Sequence, residues 1–265
     1  MFIKKLNYKY LGLIKELALT NFKLKYQGSV LGYLWSLVKP LMLFVVLYIV
    51  FTRILKIGAS IPNYPVYLLL GVVMWGFFSE LTAISLGAIV ENGDLIRKVY
   101  FPRIVLVISV GITSFITFML NLVVVFIFMA VLRIVPGLDV FLLLLVMFEF
   151  FVLTVGVSFF LSALFVKFRD IAHIWEVILS VLFYATPILY PLSMVPVTIG
   201  KIMLLNPAAQ IIQDARYLLI TNQTTTAWNT LSWKYVWIPY ILPFIIFIIG
   251  YRYFNKSAAK FAEEV

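Results

Sequence analysis

The stretch IVLVISVGITSFITFMLNLVVVFIFMAVL, Ile104 to Leu132, runs for 29 residues without one charged side chain. As an α-helix it extends about 43 Å, more than the roughly 30 Å hydrocarbon layer of a bilayer. A segment this long and apolar predicts a tilted membrane-spanning helix. The whole chain shares its character. Of 265 residues 64% are apolar and 12% charged, against roughly 45–50% and 25% in soluble domains.

Working outward, five more segments pass the same test of length and apolarity. They are Gly28 to Leu55, Tyr64 to Val90, Val140 to Val166, Ile174 to Tyr190 and Val236 to Tyr253. The last contains Pro239 and Pro243, which membrane helices tolerate. The prediction is an all-α integral membrane protein of six spans. With the N-terminus inside, fourteen Lys and Arg fall on the inner side and six on the outer. That asymmetry places both termini in the cytoplasm. The net charge of +10 follows from the same loop bias, so nucleic acid is not an expected partner.

The division expected along 1–265 is a single transmembrane domain. It comprises an N-terminal element (1–27), spans one to five (28–190), a broken outer segment (191–233), and span six with a cytoplasmic tail (234–265). In the first element Leu11, Ile14, Ala18 and Phe22 recur at helical spacing, with Lys9, Glu16, Thr20, Lys23 and Gln27 opposite. This is the pattern of a helix lying in the membrane interface, although a plain basic flank reads similarly. The first thirty residues carry six lysines and no compact apolar core ending in a cleavage site, unlike a secretory signal. Residues 191–233 are too long for a bare connection. One or two short re-entrant helices, or a folded outer loop, fit there.

Chemistry-bearing motifs are few. The chain has no cysteine and one histidine, His173, which removes most metal sites and catalytic triads. No G-x-x-x-x-G-K-[ST] phosphate loop occurs, so a nucleotide would have to be hydrolysed elsewhere. Three charges lie within spans: Lys39, Glu80 and Glu149. Each costs at least ~2.5 kcal/mol at bilayer depth when alone. Either Lys39 pairs with one of the glutamates, or these groups line a hydrated path. Trp35, Trp75, Trp175, Tyr184 and Tyr190 suit stacking on sugar rings but equally suit interface belts. The inner loop Glu91 to Arg103 offers a helix start at Asn92, Gly93 and Asp94, then a mixed basic and apolar helix from Leu95 to Phe101 stopped by Pro102. Such a projection fits a dock for a soluble partner.

Five pieces of sequence together resemble the type-2 ABC exporter permeases that move lipid-linked O-antigen, teichoic acid, capsule or rhamnose-rich wall polysaccharide. They are FKLKYQGSVLGYLW (Phe22 to Trp35) followed by Pro40, WGFFS (Trp75 to Ser79), NGDLIRKVYFP (Asn92 to Pro102), FRD (Phe168 to Asp170), and TPILY (Thr186 to Tyr190) with Pro196 and Asn206-Pro207. The resemblance implies a bacterial plasma-membrane permease working as a homodimer with two ATP-binding subunits. ATP and Mg would bind on those partners, and no cofactor on this chain. It implies ATPase coupling through Asp94, Leu95, Ile96, Arg97 and Lys98, and through Arg169 and Asp170 of the second inner loop. A substrate path would draw on Lys23, Lys25, Trp35, Lys39, Trp75, Glu80, Glu149, Tyr184 and Tyr190, with the inner lysines attracting a lipid diphosphate. The readings set against it are a drug or small-lipid permease, a scaffold, and a membrane transferase using Asp139, Asp170, Glu176 or Asp214.

Overall fold

The computed structural model describes residues 8–25, 27–29 and 31–264. Lys4, Lys5, and the Tyr26 and Val30 of the first family motif lie outside them. Among the described residues there are twelve α-helices and no strand. The helices are α1 (Tyr8–Lys25), α2 (Trp35–Ile49), α3 (Tyr64–Gly87), α4 (Gly93–Lys98), α5 (Ile104–Val131) and α6 (Leu143–Lys167). They continue with α7 (Ile171–Ala185), α8 (Val197–Leu204), α9 (Pro207–Leu219), α10 (Ala227–Thr230), α11 (Trp237–Ser257) and α12 (Phe261–Glu264). With their short flanking turns, five meet the length and apolarity of a bilayer crossing: Gly32–Ile54, Tyr64–Gly87, Ile104–Val131, Leu138–Lys167 and Trp237–Ser257. The quoted uncharged stretch is therefore one helix nearly end to end.

The fifth expected span differs. Its helix, Ile171–Ala185, has 15 residues, about 22 Å long and short of a full crossing. It stops because Thr186 precedes Pro187 and takes an extended conformation, as the proline ring demands. The chain then turns through buried Ile188 and Leu189. The first span also starts four residues later than Gly28, because Gly28 and Gly32 carry φ of +76° and +49°. Glycine adopts this left-handed backbone without strain, and the turn it makes swings α2 back beside the end of α1.

At the centre of the bundle is α3, packed against α5, α6, α2 and α7. Phe77, Phe118 and Phe150 pack there, with ring centroids 4.7 and 5.4 Å from Phe77. Helix α11 lies along α6 through facing glycines. A Cβ on Gly250 would collide with the carbonyl oxygen of Gly156, and one on Gly156 with the backbone of Phe247. Small residues allow this close approach, where packing rather than water drives association.

Helix α1 buries Ile14 and Ala18 against the bundle, with Phe22 half-buried, and Thr113 of α5 donates a hydrogen bond to the Ala18 carbonyl at 3.0 Å. Leu11, expected on that face, is exposed; the buried side is centred closer to Tyr10, Leu13 and Leu17, which pack on the core. The helix is thus docked on protein along one side and presents Lys15, Glu16 and Lys23 on its exposed side.

Two clusters mark the ends of the bundle. At one, α4 sits beside α12, and Phe261 packs edge-on against Phe254 at 5.3 Å. At the other, Trp228, Trp233 and Trp237 pack at 5.1–6.3 Å, the residue type that membrane interfaces collect.

Candidate functional site

Helices α2, α3, α5 and α7 enclose one side-opening cavity of about 830 Å³, within the range of ligand pockets. Each wall follows from local sequence. The reversal at Gly28 and Gly32 brings Lys25, the last residue of α1, together with Trp35 and Lys39 of α2. Helix α3 adds Trp75 and Glu80, and α7 adds Phe183 and Tyr184. From α5 come Ser114, Thr117 and Asn121, which at i, i+3 and i+7 share one helix face. Six of the nine predicted path residues meet here: Lys25, Trp35, Lys39, Trp75, Glu80 and Tyr184. The other three do not line it. Lys23 projects from the exposed side of α1, and Glu149 and Tyr190 lie elsewhere.

The ionic geometry also differs from the expected Lys39 pairing. Glu80 Oε1 takes Lys25 Nζ at 2.6 Å, with side chains 34% and 24% exposed. Lys39, one turn into α2, faces the cavity without an ion pair among the described residues. Glu149 is too far along α6 to meet either lysine; it is buried beside Gln210, Asp214 and Tyr240. Asp214 accepts hydrogen bonds from Gln210 Nε2 and Tyr240 Oη, both at 2.8 Å. Burial raises its carboxyl above the usual range, and these two bonds oppose that shift.

The polar row on α5 makes the cavity suited to hydroxyl-rich or hydrated contents. Thr117 and Asn121 satisfy themselves by donating to the carbonyls one turn back, at 3.2 and 2.9 Å. The Ser114 hydroxyl is buried with no hydrogen-bond partner. Buried polar atoms usually find partners, and Ser114 is one of several hydroxyls among the described residues that lack one. Aromatic rings continue the wall, with Trp75 and Phe183 at 5.9 Å and Phe183 and Tyr184 at 5.2 Å. The Tyr190 hydroxyl donates to the Tyr184 carbonyl at 2.7 Å, bracing that end without lining it.

Sequence reasoning missed Arg216. It is fully buried, and all five of its N–H donors are used. Nε and Nη2 donate to the Tyr67 carbonyl at 3.2 and 3.0 Å. Nη1 donates to the Pro187 carbonyl at 2.6 Å and Gln213 Oε1 at 2.9 Å. Nη2 also reaches the Ile188 carbonyl at 2.7 Å, and the guanidinium lies 3.5 Å from the Tyr67 ring centroid. It ties α9 to the start of α3 and to the break after α7. No spacing in the sequence marks this residue. The polar row on α5, by contrast, has a visible helical period in the quoted stretch.

The residues expected to couple to an ATPase lie on α4 and in the turn between α6 and α7. Helix α4 spans Gly93–Lys98 and ends three residues before Phe101, because Val99 takes an extended conformation. Ile96 and Phe101 are buried anchors, Leu95 is half-buried, and Asp94, Arg97, Lys98 and Tyr100 are exposed, Tyr100 at 92%. Arg169 and Asp170, in the turn between α6 and α7, are exposed as well. Asn92 does not cap the helix; its side-chain amide donates to the Ala88 carbonyl at 3.0 Å.

Comparison with known proteins identifies the family. Two O-antigen export system permease proteins RfbA of Klebsiella pneumoniae are 32% and 31% identical over 244 residues, covering 92% of this chain and 91% of theirs. A Myxococcus xanthus protein of the same name is 34% identical over 186 residues, covering 70% of this chain and 71% of its own. Residues 12–220 match the ABC-2 type transporter family, which takes in the cavity, α4 and the Arg216 site. The chain is a multi-pass membrane protein and belongs to the ABC-2 type transporter family.

Proposed function

We propose that this chain is the permease subunit of an ABC exporter carrying lipid-linked polysaccharide of the O-antigen type across the bacterial plasma membrane. The observation that carries the reading is the cavity: two lysines, a glutamate, a hydroxyl and amide row, and aromatic rings share one hollow. An amphiphile with an anionic head and a sugar chain matches that lining. The names of the relatives point to the same substrate class.

In this reading α4 and the α6–α7 turn face the cytoplasm, where two ATP-binding subunits hold ATP and Mg. Asp94, Leu95, Ile96, Arg97 and Lys98 form the coupling element, with Arg169 and Asp170 beside it. A second copy of the chain faces the open side of the cavity. Helix α2 exposes Met42, Leu43, Val46 and Ile49 on that flank, an apolar surface for lipid or a partner helix. The short α7 together with the turn Thr186 to Tyr190 completes a sixth crossing. Helices α8 and α9 form the outer re-entrant segment, held by the Asn206 side chain capping Ala208 N at 3.0 Å. ATP-driven closure of the partner subunits pushes on α4, and the two permeases part along the cavity. The lipid head flips first and the glycan follows.

The test is reconstitution of the chain with its ATP-binding partner in vesicles loaded with lipid-linked O-antigen. ATP-dependent appearance of glycan on the far side, abolished by scrambling residues 94 to 98, supports the reading. Transport of a drug-like substrate with no response to the glycan lipid overturns it.

A further inference from the structure

We propose that Glu80 is a resident counter-ion: it occupies Lys25 in the place of the substrate's anionic head and must be displaced when that head enters. The inference rests on the cavity being the path of a lipid-linked glycan, and adds a specificity-setting role for a residue that reading leaves unexplained.

Three charged side chains line the cavity, Lys25, Lys39 and Glu80. Lys25 and Glu80 neutralise one another at 2.6 Å, so an entering lipid first meets a net charge of one. A neutral or weakly charged lipid gains nothing by breaking the pair. A diphosphate does, because once the carboxylate swings away Lys25 and Lys39 both face the head group and the two charges match. Glu80 then repels every head too weak to replace it. Discrimination of this kind comes as much from an unfavourable element as from a favourable one.

The pair is also built to exchange. Both side chains are a quarter to a third exposed, where ion pairs are weak. Lys25 is the last residue of its helix, so its long arm can reorient without moving the bundle. The α5 wall of the same cavity adds Ser114, Thr117 and Asn121, polar side chains beside the place where the head would sit.

The experiment uses the full chain in nanodiscs of phosphatidylcholine, with geranylgeranyl diphosphate and geranylgeraniol as probes, and reads equilibrium binding and thermal unfolding together. The Glu80→Gln variant tightens diphosphate binding about fivefold, the factor set by losing one exposed pair, and leaves alcohol binding unchanged. Lys25→Gln weakens the diphosphate and removes the gain when combined with Glu80→Gln. Glu80→Asp, which keeps the charge on a shorter arm, shows a smaller gain and serves if the amide variant does not fold. Unchanged or weaker diphosphate binding in the Glu80 variants, with a wild type that still prefers diphosphate to alcohol, overturns the counter-ion role alone. A wild type that binds both probes equally, or neither, overturns the cavity reading and the counter-ion with it.

Discussion

Arg216 and Lys25 are both cations set within an apolar helical bundle, and their surroundings could hardly differ more. Arg216 has no exposed surface, and its five donors are fixed by three backbone carbonyls and Gln213. Lys25 sits on a cavity wall with one carboxylate that solvent also reaches. A guanidinium fork locked by carbonyls cannot let go without leaving all of them unpaired, so it belongs to the scaffold. An ammonium paired with a partly exposed carboxylate on a cavity wall can exchange that carboxylate at small cost, as the proposed counter-ion role of Glu80 requires. The difference separates structural from working charge by donor satisfaction rather than by residue type.

Substitutions sharpen that contrast in descending order of effect on stability. Arg216→Leu should cost at least about 3 kcal/mol, since the buried carbonyls of Tyr67, Pro187 and Ile188 lose their donors together. Arg216→Lys should recover little of it, because an ammonium lacks the planar fork; thermal unfolding of purified protein reads both. Gly250→Ala places a methyl against the Gly156 carbonyl and should cost about 1–3 kcal/mol as α6 and α11 are forced apart. Lys25→Gln should change stability by about 1 kcal/mol or less yet reduce export of the glycan lipid severalfold. Tyr100→Ala, at the most exposed point beside α4, should stay within about 0.5 kcal/mol while weakening co-purification with the ATP-binding partner. A Lys25 variant that unfolds as readily as the Arg216 variants would erase the distinction.

The sequence revealed the long elements well because burial in lipid demands long uncharged runs. The helix Ile104–Val131 follows directly from such a run, and Tyr64–Gly87 ends within three residues of its expected limit. The segment after Ile174 was harder. Its apolarity continues through Tyr190, but Pro187 ends the helix at Ala185, and composition is blind to that break. Within the cavity, Lys39 and Glu80 stood out as charges inside spans. Their true arrangement did not, because Lys25 meets Glu80 only once α1 has docked against α5, a contact between segments far apart in the chain. Glu149 joined Asp214 and Tyr240 for a similar reason: its neighbours come from α9 and α11, far along the chain. Arg216 looked like one more outer-side charge, since carbonyl ligation leaves no sequence pattern.

The cavity as substrate path is the claim on which the rest depends, and the absence of cysteine makes it directly measurable. Ser180 of α7 is exposed on the cavity wall, whereas Leu145 of α6 is exposed but does not line it. With single Ser180→Cys or Leu145→Cys variants assembled with the ATP-binding partner, the rate of thiol alkylation is followed with and without lipid-linked glycan. The account predicts strong protection at position 180 by the glycan lipid and none at position 145. Equal alkylation at position 180 in both conditions, while the same vesicles transport glycan, would contradict it.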